Sequence, residues 1–225
     1  MITRHIPNFL TCCNLLCGCI GIVFVTSGNL NAAAYFVWIA CVFDFFDGFA
    51  ARMLKVSSPI GKELDSLADM VSFGLLPSMV MYVMLQDATH SEYVPYLAFS
   101  IAVFSALRLA IFNIDETQSD SFRGLPTPAN ALFITSLPLL TGPIAIALFE
   151  PWIVITIVVI SSYLLVSGIP LFALKFKSFN WKENKIRFTF LIASVLLLAT
   201  LQIAAIPLII LLYIALSLGL KAVSK

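Results

Sequence analysis

An all-α integral membrane protein, a bundle of about eight spanning helices, is the fold class that this sequence predicts. Three observations predict it. Hydrophobic residues make up 60% of the 225 and charged residues only 11%, whereas a soluble domain carries roughly a quarter charged. The apolar residues gather into runs of about 20, the length that crosses hydrocarbon as a helix. Every Lys and Arg falls in alternate segments between those runs or at the adjoining ends of the runs, so one side of the bundle takes all the positive charge.

The first run covers 8–27 and ends at Ser27-Gly28-Asn29. It follows one Arg and one His and has no small-residue cleavage pattern, which predicts a retained helix rather than a removed leader. The second, 31–54, carries Asp44 and Asp47 in its last third. The third, 63–86, opens with Asp65 and Asp69, and Gly74 with Pro77 predicts a kink that widens the space for acyl chains. The fourth, 92–113, holds Arg108 near its end. A polar loop covers 114–128. The fifth span is 129–148, and Glu150-Pro151 starts a sixth that runs to about 173. A basic loop covers 175–187, and two last spans, 188–204 and 206–222, are split near Pro207. Neither repeats nor low-complexity linkers interrupt the chain. It reads as a single transmembrane domain over 1–225, with a catalytic core in 1–175 and two additional C-terminal helices in 185–225.

With the N-terminus inside, the cytoplasmic segments are 1–7, 55–62, 114–128, 175–187 and the tail. The outer loops near 28–30, 87–91, 149–151 and 205 then hold only the acids Asp87 and Glu150, with Glu92 at a helix start. This distribution is that of a multi-pass protein with positive loops inside. The net charge of +1 gives no field for nucleic acid. Five cysteines, at 12, 13, 17, 19 and 41, sit in apolar surroundings without a nearby histidine, and read as packing residues rather than disulfides or a zinc site. His5 and His90 fall at opposite membrane faces and cannot share a site.

Four carboxylates, Asp44, Asp47, Asp65 and Asp69, break the apolar pattern. Spacings of three and four place each pair on one helix face, and the short link at 55–62 lets the two pairs meet. Asp44 lies roughly 12 Å deeper than Arg52, which puts the cluster in a shallow pocket open to the cytoplasm. Ionisable groups at membrane depth face a cavity and mark function. Four gathered carboxylates cannot all stay ionised unaided. Either some are protonated or divalent cations neutralise them, and carboxylate oxygens suit Mg²⁺, Mn²⁺ or Ca²⁺. Two such ions balance four Asp, and paired metals suit in-line displacement at phosphorus. Gly48 permits close approach of a ligand or helix, and Ala51 keeps the same face open. Arg52 offers a planar donor fork for phosphate oxygens. The turn Ser57-Ser58-Pro59-Ile60-Gly61 presents hydroxyls and N–H groups at a helix start, where anions bind. A cation-coupled transporter is the rival class, but its inverted repeats and broken helices are not found.

The pattern Asp44-xx-Asp47-Gly48-xx-Ala51-Arg52, eight residues, then Gly61-xxx-Asp65-xxx-Asp69 resembles the complete signature of the CDP-alcohol phosphotransferases. The resemblance implies that the four aspartates hold two divalent ions, that Asp69 is the base, and that Gly48, Arg52, Ser58 and Gly61 lie around the CDP pyrophosphate and cytidine. It also implies a six-helix core and a homodimer, so eight spans would place two helices beyond the core.

The flanks bear on the acceptor. Asn8, Thr11 and Asn14 near the start, the Met70–Pro77 stretch, the Leu107–Asn113 stretch and Gly124-Leu125-Pro126-Thr127-Pro128 resemble, over about residues 5 to 175, the prokaryotic membrane-embedded branch of that family. Members of this branch use CDP-diacylglycerol as donor and L-serine as acceptor in the cytoplasmic membrane. The last two helices carry no such resemblance. Branches acting on glycerol 3-phosphate or inositol phosphate are the alternatives within the family, and a phosphorylated acceptor calls for a denser basic pocket. Serine's carboxylate wants a bidentate donor, which Arg108 or Arg123 supplies. Otherwise Arg108 snorkels to lipid phosphate and Arg123 is a solvated loop charge. Asn113 either accepts from the amino group or caps its helix. Asn8 touches the nucleotide or caps the first helix; Thr11 touches the nucleotide or bonds its own backbone. Asn14 reads as a helix–helix hydrogen-bonding residue.

Overall fold

A computed structural model describes residues 5–56, 58–115, 121–172 and 180–223; the side chains of 121, 122, 182, 183 and 220–223 lie outside the description, as does Ser57. Five continuous helical stretches among the described residues, some of them interrupted by 3₁₀ or π turns, are long and apolar enough to cross a membrane: Ile6–Thr26, Leu30–Leu54, Pro59–Ala88, Val94–Ile114 and Asn184–Gly219. Large apolar side chains such as Phe9, Phe45, Val159 and Leu196 are exposed on the outside. In a bilayer such a surface meets lipid rather than water.

Helix α1 (Ile6–Thr26) has Pro7 in its first turn, where the missing N–H costs nothing. Its N-cap is His5, so Asn8 lies within the helix and does not cap it. Helix α2 (Leu30–Leu54) begins at Asn29, whose Oδ1 accepts from the Ala32 N–H at 3.0 Å, and ends at Lys55 in a left-handed conformation, φ 52°. The two helices pack along their length through small residues: Ala33, Ala34, Val37 and Ala40 are fully buried.

Helix α3 (Pro59–Asp69) starts four residues before the expected third span, because Ser58 and Pro59 form a complete N-terminal signal. The Ser58 Oγ accepts from the Gly61 N–H at 3.0 Å. The expected kink takes a different form. A π-helical turn, Met70–Leu75, follows Asp69 directly and continues into α4 (Leu76–Ala88), with the Leu76 N–H reaching the Val71 carbonyl. Pro77 has no N–H to donate to the preceding turn, and the wider turn accommodates that gap. It also seats Ser72 against α1, where the Ser72 hydroxyl donates to the Asn14 carbonyl at 2.9 Å and a Cβ on Gly18 would collide with it.

A 3₁₀ turn, Val94–Phe99, leads into α5 (Ser100–Ile114). The expected fifth span, 129–148, is not one helix. Helix α6 (Thr127–Ser136) gives way to a 3₁₀ turn at Leu137–Leu139, the chain extends at Leu140, and a short α7 (Pro143–Ala147) begins after Gly142 at φ +75°. Pro138 withdraws a donor, and the Gly142-Pro143 pair imposes a turn that no helix continues through. The sixth span stops early as well: α8 (Pro151–Val166) ends before Gly168, and Pro170–Phe172 form strand β2. That strand pairs antiparallel with β1 (Ser121–Arg123), placing Arg123 opposite Pro170.

Helices α9 (Trp181–Leu201) and α10 (Ala205–Val223) close the chain. The break between them falls at Gln202–Ala204, with Gln202 at φ 51°, whereas Pro207 sits harmlessly in the first turn of α10. The main core holds Phe73, Leu76, Met81, Leu85, Ile101 and Ile134. A second cluster joins Leu125, Leu171, Phe190 and Tyr213, and so ties the C-terminal helices to the ribbon. All five thiols are free.

Candidate active site between α1, α2 and α3

The last third of α2 and the middle of α3 deliver three carboxylates to one place. Oxygens of Asp44, Asp47 and Asp65 all lie within 4.8 Å of one another. Asp69, one turn on from Asp65, is outside that trio but close enough to Asp44 and Asp65 for their charges to interact. Asp47 and Asp69 are the most enclosed, at 6% and 8% exposed. Helix α1 braces both: the Thr11 hydroxyl donates to Asp47 Oδ2 at 2.7 Å, and Asn14 Nδ2 donates to Asp69 Oδ1 at 3.1 Å. Thr11 also lies 3.0 Å from the Pro7 carbonyl. Its single proton can serve one acceptor, and the shorter, charged partner is the stronger. The helix–helix role read for Asn14 is therefore seen, with Asp69 as the partner.

The donor set consists of carboxylate oxygens alone, which suits hard divalent cations and not zinc or copper. Like charges this close require an offset, and a cation between them supplies one. The residues thus fit a divalent metal.

A cavity of about 490 Å³ opens beside the trio. Asn8, Thr11, Gly48, Ala51, Ser58 and Gly61, six of the seven positions assigned to CDP from sequence, line it together with Asp47 and Asp65. The seventh, Arg52, folds back along its own helix: a Cβ on Gly48 would stand 3.4 Å from its Nη1. That is ordinary contact distance, so the guanidinium itself does not require a glycine at 48. Gly61 is more constrained, since a Cβ there would come within 3.0 Å of Asn8 Oδ1 and 3.1 Å of Ser58 Oγ. His5 and Lys62 also line the cavity. Sequence reasoning passed over both, although Lys62 directly follows a signature glycine.

Arg108 and Arg123 share a second cavity, of about 210 Å³, with Asp115 at its edge. Arg108 is 8% exposed, its Nε has no hydrogen-bond partner among the described residues, and it lies within electrostatic range of Asp69 and Tyr213. Asn113 does not line that cavity. Its Nδ2 donates to Ser66 Oγ at 2.8 Å, and its carbonyl accepts from Lys62 Nζ at 2.7 Å. It fastens the end of α5 to α3, which brings the two cavities to the same end of the bundle. Arg123 is carried by the ribbon. Gly124, at φ +75°, turns the chain so tightly against α8 that its N–H donates to the Ile169 carbonyl and a Cβ would strike Leu165. The Tyr213 hydroxyl donates to the Phe172 carbonyl at 2.9 Å and holds the other strand.

Buried polar groups also collect on α6, which packs against the π-turn. Thr127 and Asn130 are at most 1% exposed, and neither side chain finds a partner among the described residues. The spacing of two polar residues three apart in an apolar helix was the available signal for this pair.

The model of the family described as CDP-alcohol phosphatidyltransferase matches residues 4–161. The chain belongs to the CDP-alcohol phosphatidyltransferase family. It is 36% identical over 146 residues to a CDP-diacylglycerol–serine O-phosphatidyltransferase of Bacillus subtilis, covering 64% of this chain and 81% of that protein. Its identity to the Helicobacter pylori protein of the same name is 35% over 144 residues, covering 60% and 57%. To an archaetidylserine synthase of Methanothermobacter thermautotrophicus it is 34% over 141 residues, covering 61% and 58%. The chain therefore spans less than two thirds of the length of the latter two relatives. All eight signature positions of this CDP-alcohol phosphatidyltransferase lie on α2 and α3, whereas α9 and α10 fall outside the matched residues.

Proposed function

We propose that this protein transfers the phosphatidyl group of CDP-diacylglycerol to the hydroxyl of L-serine, giving phosphatidylserine and CMP. The observation that carries the reading is an acid cluster lining one cavity, with a second cavity held at the same end of the bundle through the bonds of Asn113 to Lys62 and Ser66. One is lined by the signature residues and the other by two arginines. The names of the relatives support serine as acceptor, as does a pocket holding guanidinium groups suited to a carboxylate.

Asp44, Asp47, Asp65 and Asp69 would hold two divalent cations, Mg²⁺ or Mn²⁺ with Ca²⁺ also suited, which would offset the carboxylate charge and stabilise negative charge on the departing CMP. Asn8, Thr11, Gly48, Ala51, Ser58 and Gly61 cradle the CDP moiety, with Arg52 over its phosphates. Arg108 and Arg123 orient serine or grip lipid phosphate, and Asn113 sets the end of α5 beside them. Asp69, with Oδ1 committed to Asn14, takes the serine hydroxyl proton on its other oxygen. The serine oxygen then forms a bond to the phosphorus of the phosphatidyl group as the bond to the CMP oxygen breaks on the opposite side. The concentration of Lys and Arg in alternate segments supports a site on the cytoplasmic side of a prokaryotic inner membrane, and the family resemblance supports a homodimer.

The test uses purified protein with CDP-diacylglycerol, Mn²⁺ or Mg²⁺, and labelled serine, glycerol 3-phosphate or inositol phosphate in turn, scored for CMP release and labelled lipid. Serine-dependent CMP release with labelled phosphatidylserine is the expected result. Turnover with a phosphorylated alcohol alone would move the chain to another branch. Absence of turnover with every alcohol would leave a transporter or a binding scaffold. Asp69→Asn should abolish turnover while sparing donor binding.

A further inference from the structure

The smaller cavity carries more information than two arginines. It lies where α5 ends, and the residue that ends α5 is Asp115, in an extended conformation with ψ 101°. Asp115 lines the cavity together with Arg108 and Arg123, and Ser167 and Gly168 complete its polar rim. The site thus presents two fixed cations and one fixed anion. The anion sits at a helix C-terminus, where the unpaired carbonyls of the last turn add partial negative charge. A primary ammonium already uses that end of α5: Lys62 Nζ donates to the Asn113 carbonyl at 2.7 Å. Two turns back along the same helix Arg108 is buried, with an Nε–H that finds no partner among the described residues, and a buried donor of that kind calls for an acceptor.

We infer that Asp115 is a specificity-determining residue that receives the ammonium group of an amino-acid acceptor while Arg108 receives its carboxylate. The inference rests on the acceptor reading above and extends it from a carboxylate site to a zwitterion site. A serine molecule satisfies both ends at once. A phosphorylated polyol meets the same carboxylate with negative charge, so Asp115 discriminates by repulsion as well as by attraction. A volume of about 210 Å³ suits a small amino alcohol and not an acyl chain.

The experiment compares L-serine with 3-hydroxypropanoate, which keeps the hydroxyl and carboxylate and lacks the ammonium, on the full chain with CDP-diacylglycerol and Mn²⁺. The wild type should prefer serine in kcat/KM by about tenfold or more, the loss expected when a charged hydrogen bond is left unmade. In Asp115→Asn the KM for serine should rise by a similar factor, the KM for CDP-diacylglycerol should stay within about twofold, and the preference for serine should collapse. Asp115→Glu, which keeps the charge, should restore most of the preference. A purely structural role would lower both acceptors alike and leave their ratio unchanged, and that outcome overturns the inference. A wild type that uses the two acceptors equally overturns it as well, whether or not the variants fold. Absence of CMP release with serine in the wild type instead removes the acceptor reading on which the inference stands.

Discussion

Asn14 Nδ2 donates to Asp69 Oδ1 at 3.1 Å, joining a buried amide on α1 to the most enclosed acid of α3. The bond fixes which Asp69 oxygen faces the helix and which faces the reactants. Asn14→Leu removes the donor while keeping the volume. It should lower kcat by about tenfold or more, since a hydrogen bond to a charged group contributes about 1.5–3 kcal/mol. The KM for CDP-diacylglycerol should change little. Steady-state CMP release over a donor titration checks both, and an unchanged kcat would show that Asp69 orients itself without help.

The Asp44, Asp47 and Asp65 trio makes a prediction about stability as well as activity. Without metal, three carboxylates within 4.8 Å repel. Asp65→Asn should therefore raise the melting temperature of the metal-stripped protein. Relief of about 1 kcal/mol corresponds to about 2–4 °C in a chain of this length. The same variant should lose the upward shift that Mn²⁺ confers on the wild type, because ligand-linked stabilisation requires the ligand to bind. Thermal melts in detergent with chelator and with added Mn²⁺ give all four values. A wild type that Mn²⁺ does not stabilise would argue against a metal at these carboxylates.

Gly61 packs directly against Asn8 and Ser58 on the wall of the larger cavity. A methyl group there would press on both at 3.0 and 3.1 Å. Gly61→Ala should raise the KM for CDP-diacylglycerol by about tenfold while the serine KM stays near its normal value, because the intruding atom stands where the nucleotide binds and not beside Arg108. Ser58→Ala removes the N-cap of α3 and should cost about 1 kcal/mol of stability. The pair separates cavity shape from helix capping, and a Gly61→Ala enzyme with a normal donor KM would place the nucleotide elsewhere.

The first four spans could be read from the sequence because their apolar runs end at polar breaks such as Ser27-Gly28-Asn29, although the Ser58-Pro59 signal starts α3 four residues ahead of its apolar run. The acid cluster could be read for the same reason: helical spacing alone aligns Asp44 with Asp47 and Asp65 with Asp69. What could not be read depends on contacts between distant segments. Run length made 129–148 one helix, yet Gly142 takes a positive φ and α6 ends after ten residues. Nothing local around 121–123 and 170–172 announces that they pair as a ribbon, since β1 and β2 are three residues each and nearly fifty residues apart in the chain. The partner of Asn14 and the position of Asn113 against Ser66 likewise follow from how α1 and α5 pack on α3, a fact that no window of sequence contains.

Tyr213 on α10 donates to the Phe172 carbonyl and stacks edge-on against Phe172, with ring centroids 4.9 Å apart. Tyr213→Phe keeps the ring and deletes the hydroxyl. Loss of one neutral hydrogen bond, about 1 kcal/mol, should loosen the ribbon that carries Arg123 and raise the serine KM by about fivefold, leaving the KM for CDP-diacylglycerol unaltered. Parallel titrations of the two substrates check it; a change in both constants would mean that α10 supports the bundle as a whole.

Arg108→Lys preserves the charge and removes the guanidinium fork. The serine KM should rise by about tenfold and the donor KM by much less, as measured by initial rates at saturating CDP-diacylglycerol. An unchanged serine KM would shift the carboxylate contact to Arg123 or beyond the cavity.

The π-helical turn at Met70–Leu75 makes the spacing between the acid cluster and α4 a matter of residue count. A wide turn holds one residue more than an α-helix needs for the same axial advance. Deleting one residue there would let the helix wind regularly and leave α4 in nearly its present register, whereas deleting one from the regular helix on either side would swing everything beyond it by about 100°. Val80 and Met81, now sealed against neighbouring helices, would stay buried in the first case and rotate toward lipid in the second. Variants of this protein that differ in length should therefore tolerate a single gap within this turn and none in the helix beside it.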